Sequence, residues 1–145
     1  MAERFTFDAN VFVYAADLEA GARRRMALQT IARASAYESV CTLQSLAEFY
    51  HATTRKRLLS AEKAGAYIDD WIEVFGVAHA EAETLPEAIA LSTQRSLSFW
   101  DAMLIATAQS AGCTVLFSED MNHRERFGRL TVFNPFEGDL AEVGL

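Results

Sequence analysis

RFTFDANVFVYAA, residues 4–16, carries a single carboxylate inside an otherwise apolar run. FTFD (residues 5–8) reads as a short buried strand and NVFVYAADLE (10–19) as the opening of a helix, so Asp8 stands where a strand hands over to a helix. A charge in such surroundings is costly unless something pairs with it. No Lys or Arg lies between Arg4 and Arg23. The partner has to come from a distant part of the chain, or be a bound ion.

Working outward, GARRRMALQTIARASAY (21–37) spaces Met26, Ala27, Ile31 and Ala34 as a helix does, and SVCT (39–42) reads as a second strand. Thr42 is placed to cap LQSLAEFYHATTRKRLL (43–59), and Ser60 to cap AEKAGAYIDDWIEVF (61–75). Two more helical segments follow, LPEAIALSTQRS (85–96) and FWDAMLIATAQSA (99–111). Gly112 closes the second, and CTVLFS (113–118) then makes a β-branched and aromatic strand. LTVFNPF (130–136) completes the set. Strands separated by helices imply right-handed crossovers and a mainly parallel sheet covered on both faces. The expected fold is a three-layer α/β/α sandwich, one domain over residues 1–145.

Composition narrows the function classes. With 51% hydrophobic and 23% charged residues, the 145-residue chain has enough apolar side chains for a real core. A net charge of −7 argues against a surface coated in basic residues for gripping nucleic acid, so a polyanionic substrate would have to be held locally. Without a charged leader or a membrane-length apolar stretch, the expectation is a cytoplasmic protein that does not enter membranes. Cys41 and Cys113 each lie in a short apolar stretch and read as buried thiols, not a disulfide or metal site.

In parallel sheets, ligands bind at the carboxyl ends of the strands. Asp8 ends the first strand, and Glu119 and Asp120 follow CTVLFS, so two strands deliver acids to one edge. Glu48 lies about two turns into the helix after the second strand, and Asp101 at the start of FWDAMLIATAQSA. Each has an ordinary explanation. SFWD matches a capping box at Ser98 and Asp101, Glu48 fits a solvated polar flank, Asp8 can cap a helix, and SED is a normal turn composition. Four separate explanations are then needed, where one acidic metal pocket accounts for all four.

Other constellations are weaker. Glu48 and His51 form one Glu-x-x-His, but a di-iron bundle needs a second copy. His51, His79 and His123 lack zinc spacing, and neither a Gly-rich phosphate loop nor a nucleophile elbow occurs. The basic runs Arg23, Arg24, Arg25 and Arg55, Lys56, Arg57 read as solvated helix faces and as candidate RNA contacts.

Taken in order, FDANVFVYA, LQSLAEFY, SFWDAMLIATA and LFSEDMNH, followed by VFNPF, resemble the acidic motifs of the PIN-domain family, in particular the VapC-like toxins of toxin–antitoxin pairs. By position, the resemblance implies Asp8, Glu48, Asp101 and Asp120 as catalytic, metal-binding acids, with Asn10 and Ser118 as supporting polar residues. The family often has threonine where Ala9 and Ser118 stand here; serine keeps the hydroxyl and Ala9 loses it. The implied activity is Mg²⁺- or Mn²⁺-dependent endoribonuclease action, with a cognate antitoxin as inhibitor.

That chemistry suits the residues. Clustered carboxylates repel, and a hard divalent ion relieves the repulsion while leaving positions open for a phosphate. Alternatives are a phosphotransferase with Asp8 as nucleophile, a receiver-like Mg²⁺-binding signalling module, and a PIN-like module that only binds partners. The first wants a second acid where Asn10 stands. The second wants a late lysine, and residues 64–145 contain none. An acidic protein that cuts RNA is expected to be a homodimer, so that the two basic runs flank the acidic pocket. Tyr67, Ile68, Trp71, Ile72 and Phe75 exceed what one core face needs and would offer a groove to an antitoxin helix. Finally, if the last strand stays extended, Ser118 and Asp120 face the pocket and Glu119 faces away. A turn there would put Glu119 in Asp120's place.

Overall fold

The computed structural model describes residues 2–145. Its centre is β1 (Phe5–Phe7), in which Phe5, Thr6 and Phe7 are all buried, as a strand covered on both faces must be. β4 (Val115–Phe117) pairs with it in parallel, Phe5 opposite Val115 and Phe7 opposite Phe117. β6 (Leu130–Phe133) continues the parallel order, and β5 (Arg126–Phe127) closes that edge as an antiparallel partner of β6. On the other side, β2 (Cys41–Thr42) pairs in parallel with β3 (Val77–Ala78). This second ladder joins β1 through a parallel bridge, where the Phe5 N–H donates to the Glu38 carbonyl and the Val40 N–H to the Phe5 carbonyl, each at 2.9 Å. Across the molecule the order is therefore β3-β2-β1-β4-β6-β5, with one antiparallel strand at the edge.

Strand alternation sorts the side chains onto two faces. Phe5, Phe7, Val115, Phe117 and Phe133 meet helices α1 (Ala9–Ala16), α2 (Ala22–Ala34), α3 (Leu43–Arg55) and α4 (Ala61–Phe75). Leu116, Leu130 and Val132 face α6 (Phe99–Ser110) through Leu104, Ile105 and Ala108. α5 (Thr84–Arg95) packs against α6 across Ala88, Ala102 and Ala106, small residues that let the two axes approach closely. The result is the α/β/α sandwich expected from the order of elements. A 3-10 turn at Leu140–Val143 adds Leu140 and Val143 to the first face.

Several local expectations need correcting. β3 and β5 went unread because two residues are too few to show a period. α3 stops at Arg55, Lys56 caps it and Arg57 turns left-handed at φ 58°, so the second basic run is a helix end and not a helix face. Trp71 and Phe75 do not line a groove. Trp71 packs at a tilt on Phe12 at 4.3 Å and lies edge-on to Phe49 at 4.9 Å, and Phe75 meets Phe7 at 5.3 Å, deep in the first core. Tyr67 and Ile68 pack partly buried against the same core, which leaves Ile72 as the exposed member of the set. The surplus of apolar residues on α4 is absorbed by an aromatic core that draws on α1, α3 and β1. Cys41 and Cys113 are buried free thiols, and burial pushes them up to about 12 and about 11. Among the described residues, no helix is long and apolar enough to cross a membrane.

Candidate active site

The chain runs from β1 to β2 on one side and returns to β4 on the other. The carboxyl ends of β1 and β4 thus flank the point where strand order reverses, where parallel sheets open a crevice. Asp8 stands at this point as the N-cap of α1, with its carboxylate accepting the Ala9 N–H at 2.8 Å. Its own N–H donates to the Phe117 carbonyl at 2.8 Å, so the strand ladder fixes its height against β4. The Ser118 hydroxyl donates to Asp8 Oδ2 at 2.7 Å and accepts the Asp120 N–H at 3.2 Å. Asn10 completes the stitch: its amide donates to Asp120 Oδ2 at 3.0 Å and, more distantly, to Asp8 Oδ2 at 3.4 Å, while its carbonyl accepts the Glu119 N–H at 3.3 Å. Asp8, Asn10, Ser118 and Asp120, from segments that lie 110 residues apart, form one hydrogen-bonded unit.

Glu119 points elsewhere. It accepts the Tyr14 hydroxyl at 2.6 Å and pairs with Arg23 Nε at 2.7 Å. Arg23 in turn lies over the rings of Tyr14 and Phe136, each 5.7 Å from its guanidinium carbon. β4 ends at Phe117 and the chain bends at Glu119 and Asp120, yet Ser118 and Asp120 stay on the Asp8 side and Glu119 on the other. Ser118 is anchored by its N–H to the Phe133 carbonyl at 3.1 Å, and its hydroxyl holds the Asp120 N–H at 3.2 Å through the bend. Arg23, read from sequence as an RNA contact, is thereby committed to Glu119, while Arg25 stays exposed beside it on α2. Arg55, Lys56 and Arg57 lie seven to nine residues past Glu48, roughly 10 Å farther along the axis of α3.

Glu48 is exposed on the second turn of α3, where the Gln44 amide donates to it at 2.9 Å. The same amide donates to the Trp100 carbonyl at 2.9 Å and so ties α3 to the first turn of α6. Gln44 was missed from sequence, although its position four residues before Glu48 on a helix is the signal for such a pair. Tyr14 was missed as well, because its partner is 105 residues away. Asp101 follows Trp100. Its N–H donates to the Ser98 hydroxyl at 3.2 Å, so Ser98 caps the helix, but the reciprocal half of the capping box is not made: among the described residues the Asp101 carboxylate has no hydrogen-bond or ion-pair partner.

Electrostatically the site is unbalanced. Burial raises the Asp8 pKa from 3.8 to about 6; the Ser118 and Ala9 hydrogen bonds oppose the rise, and the charges of Glu48 and Asp120 add to it. None of the ion pairs of the described residues involves Asp8, Glu48, Asp101 or Asp120. The structure thus links Asp8 to Asp120 through Asn10 and Ser118, brings Glu48 within electrostatic reach of Asp8, and connects Asp101 only through the backbone of α6. Among the described residues, no three acids, histidines or cysteines are drawn close enough to enclose a metal as they stand.

Residues 5–127 match the family model for the PIN domain. Among solved structures, the chain is similar to a toxin–antitoxin complex from Klebsiella pneumoniae, at 22% identity and a TM-score of 0.65, over 91% of this chain and 98% of that one. It is also similar to VapC20 of Mycobacterium tuberculosis, a toxin that cleaves the sarcin–ricin loop, at 18% identity and a TM-score of 0.64, over 80% and 89% of the two chains. FitAcB from Neisseria gonorrhoeae gives 13% identity and a TM-score of 0.63 over 92% and 99%. No curated protein sequence matches the chain.

Proposed function

Because the chain belongs to the PIN-domain family, we propose that it is a metal-dependent endoribonuclease that hydrolyses RNA phosphodiester bonds as the toxin of a toxin–antitoxin pair. The observation that carries this reading is the uncompensated acid group at the strand-order reversal. A carboxylate whose pKa is lifted chiefly by burial and further by two neighbouring acids, with no Lys or Arg answering it, is a site that a cation stabilises. The donors are all oxygen, the chemistry that hard ions such as Mg²⁺ and Mn²⁺ prefer. Asp8, Asp120, Glu48 and Asp101 would hold the ion; Glu48 and Asp120 are exposed and can turn toward Asp8. When bound, such an ion neutralises charge on the phosphodiester and makes a water acidic enough to serve as nucleophile.

The protein's own groups prepare that event. Ser118 and the Ala9 N–H hold the Asp8 carboxylate in one orientation, Asn10 turns Asp120 toward it, and Gln44 steadies Glu48. The solved structures support the finer points: one is of a toxin that cleaves the sarcin–ricin loop, and another is a toxin–antitoxin complex. On that basis the substrate is RNA and the regulatory partner is a cognate antitoxin; the acidic net charge adds a homodimer as the working form, and the sequence adds the cytoplasm as its place.

The test is cleavage of single-stranded RNA. Activity in Mg²⁺ or Mn²⁺ should vanish in EDTA, return on adding metal, and fall by at least about a hundredfold in Asp8→Asn, the size of loss typical when an electrostatic group of a site is removed. Undiminished cleavage in EDTA would overturn the metal mechanism.

A further inference from the structure

Beside the acids, between the N-terminal turns of α3 and α6, opens a pocket of about 620 Å³. Leu43 and Met103 form apolar walls, and Gln44, Glu48 and His79 supply polar edges. Trp100 stands at the mouth with 62% of its surface exposed, an unusual position for the largest apolar side chain. The pocket shares a wall with the acid site, because the Gln44 amide spans from the Glu48 carboxylate to the Trp100 carbonyl. Whatever is held at Asp8 and Glu48 has its neighbouring portion next to Trp100.

We propose that this pocket receives a nucleobase adjacent to the phosphodiester that is cut, stacked on the Trp100 indole. The proposal rests on the nuclease reading for the phosphodiester, but not for the base. A phosphate would be repelled by Glu48. An apolar protein face seated here would take the Glu48 carboxylate out of water with only the neutral Gln44 amide to answer its charge, a costly outcome. A base satisfies both demands, since it offers a flat apolar face to the indole and hydrogen-bonding edges to the polar rim. Both N–H groups of the Gln44 amide are spent on Glu48 and Trp100, which leaves its carbonyl oxygen as an acceptor beside the Glu48 carboxylate. The rim is therefore rich in acceptors and selects a base with an exocyclic amino group. Cytosine is preferred to uracil.

The chain's two tryptophans make the test direct, because Trp71 is buried in the aromatic core and Trp100 is exposed. In EDTA, a short oligocytidylate should quench the intrinsic fluorescence of the wild type saturably, and an oligouridylate of equal length should bind about tenfold more weakly. Trp100→Phe should lose the quench yet keep the preference for cytidylate. In Mg²⁺, Trp100→Ala should raise KM for RNA cleavage about tenfold. The proposal is overturned if a wild type that cleaves RNA shows no quench, if the two oligonucleotides bind equally, or if Trp100→Ala keeps full RNA affinity. It is also overturned if that variant turns a dimer into a monomer in sedimentation equilibrium, since the face would then belong to a second copy. A wild type that fails to cleave RNA but shows the cytidylate-selective quench would refute the nuclease reading and support the base pocket.

Discussion

Asp8 is the residue on which both stability and chemistry turn. Its carboxyl has an ordinary pKa of 3.8 when the chain is unfolded and about 6 when folded. The folded state therefore holds the extra proton more tightly, and the stability this contributes is fully present below about 3.8 and is lost as pH rises through about 6. Above that, the metal-free protein carries a buried charge at a cost on the order of 3 kcal/mol. Asp8→Asn is neutral at every pH and escapes the cost. In EDTA, its melting temperature relative to wild type should climb between pH 4 and pH 7 and level off above, as read by thermal denaturation across that range. The three residues after β4 give a second test. Ser118 and Asp120 belong to the unit built on Asp8, whereas Glu119 is engaged with Tyr14 and Arg23. Under single-turnover conditions at saturating Mn²⁺, Asp120→Asn should lose about two orders of magnitude in rate, Ser118→Ala about one, and Glu119→Gln less than about threefold. If Glu119→Gln is the most damaging, the metal is held by Glu119.

At the scale of elements, α4 shows how a reading from pattern alone assigns the wrong role. Its aromatic residues outnumber what a helix on a sheet normally buries, but the sheet and α1 answer them with Phe7 and Phe12, and α3 with Phe49. Trp71 is therefore a structural residue. Trp71→Ala should cost about 3–5 kcal/mol in urea denaturation, the range for emptying a packed aromatic site. Ile72→Ala, on the exposed face of the same helix, should stay within about 0.5 kcal/mol of wild type. If Trp71→Ala is as mild as Ile72→Ala, the helix is detached from the core in solution and a groove regains its standing. α6 carries two tasks at once. Ser98 caps it, and the same first turn ties the Trp100 carbonyl to Gln44 of α3 and carries Asp101 one residue further on.

For the whole molecule, charge decides how a polyanion is approached. The chain is acidic by seven charges, and Arg23, the first of the basic run nearest the acids, is neutralised by Glu119. One copy therefore presents little positive field around its own site, and a paired copy would add its own Arg24 and Arg25. Analytical ultracentrifugation at micromolar concentration should show a dimer, and cleavage should fall steeply with added salt if phosphate contacts span both copies. A monomer of full activity would place all RNA contacts within one chain.

The order of elements, the burial of the first strand and the three-layer architecture were determined by the sequence itself, because alternation, helical spacing and capping residues act over a few residues and are written locally. The same holds for the expectation that Asp8 needs a partner, since an isolated carboxylate among phenylalanines is a local anomaly. What only the tertiary structure decided are the partnerships. Glu119 finds Tyr14 and Arg23 across separations of 105 and 96 residues, Gln44 reaches Trp100 across 56, and Trp71 is claimed by rings from two other elements, Phe12 of α1 and Phe49 of α3. The two-residue strands β3 and β5 likewise exist because neighbouring strands hold them, and not because of any propensity of their own. Pairing energies of this kind depend on distances that chain folding sets, so the residue types announce the capacity to pair and the fold selects the partner.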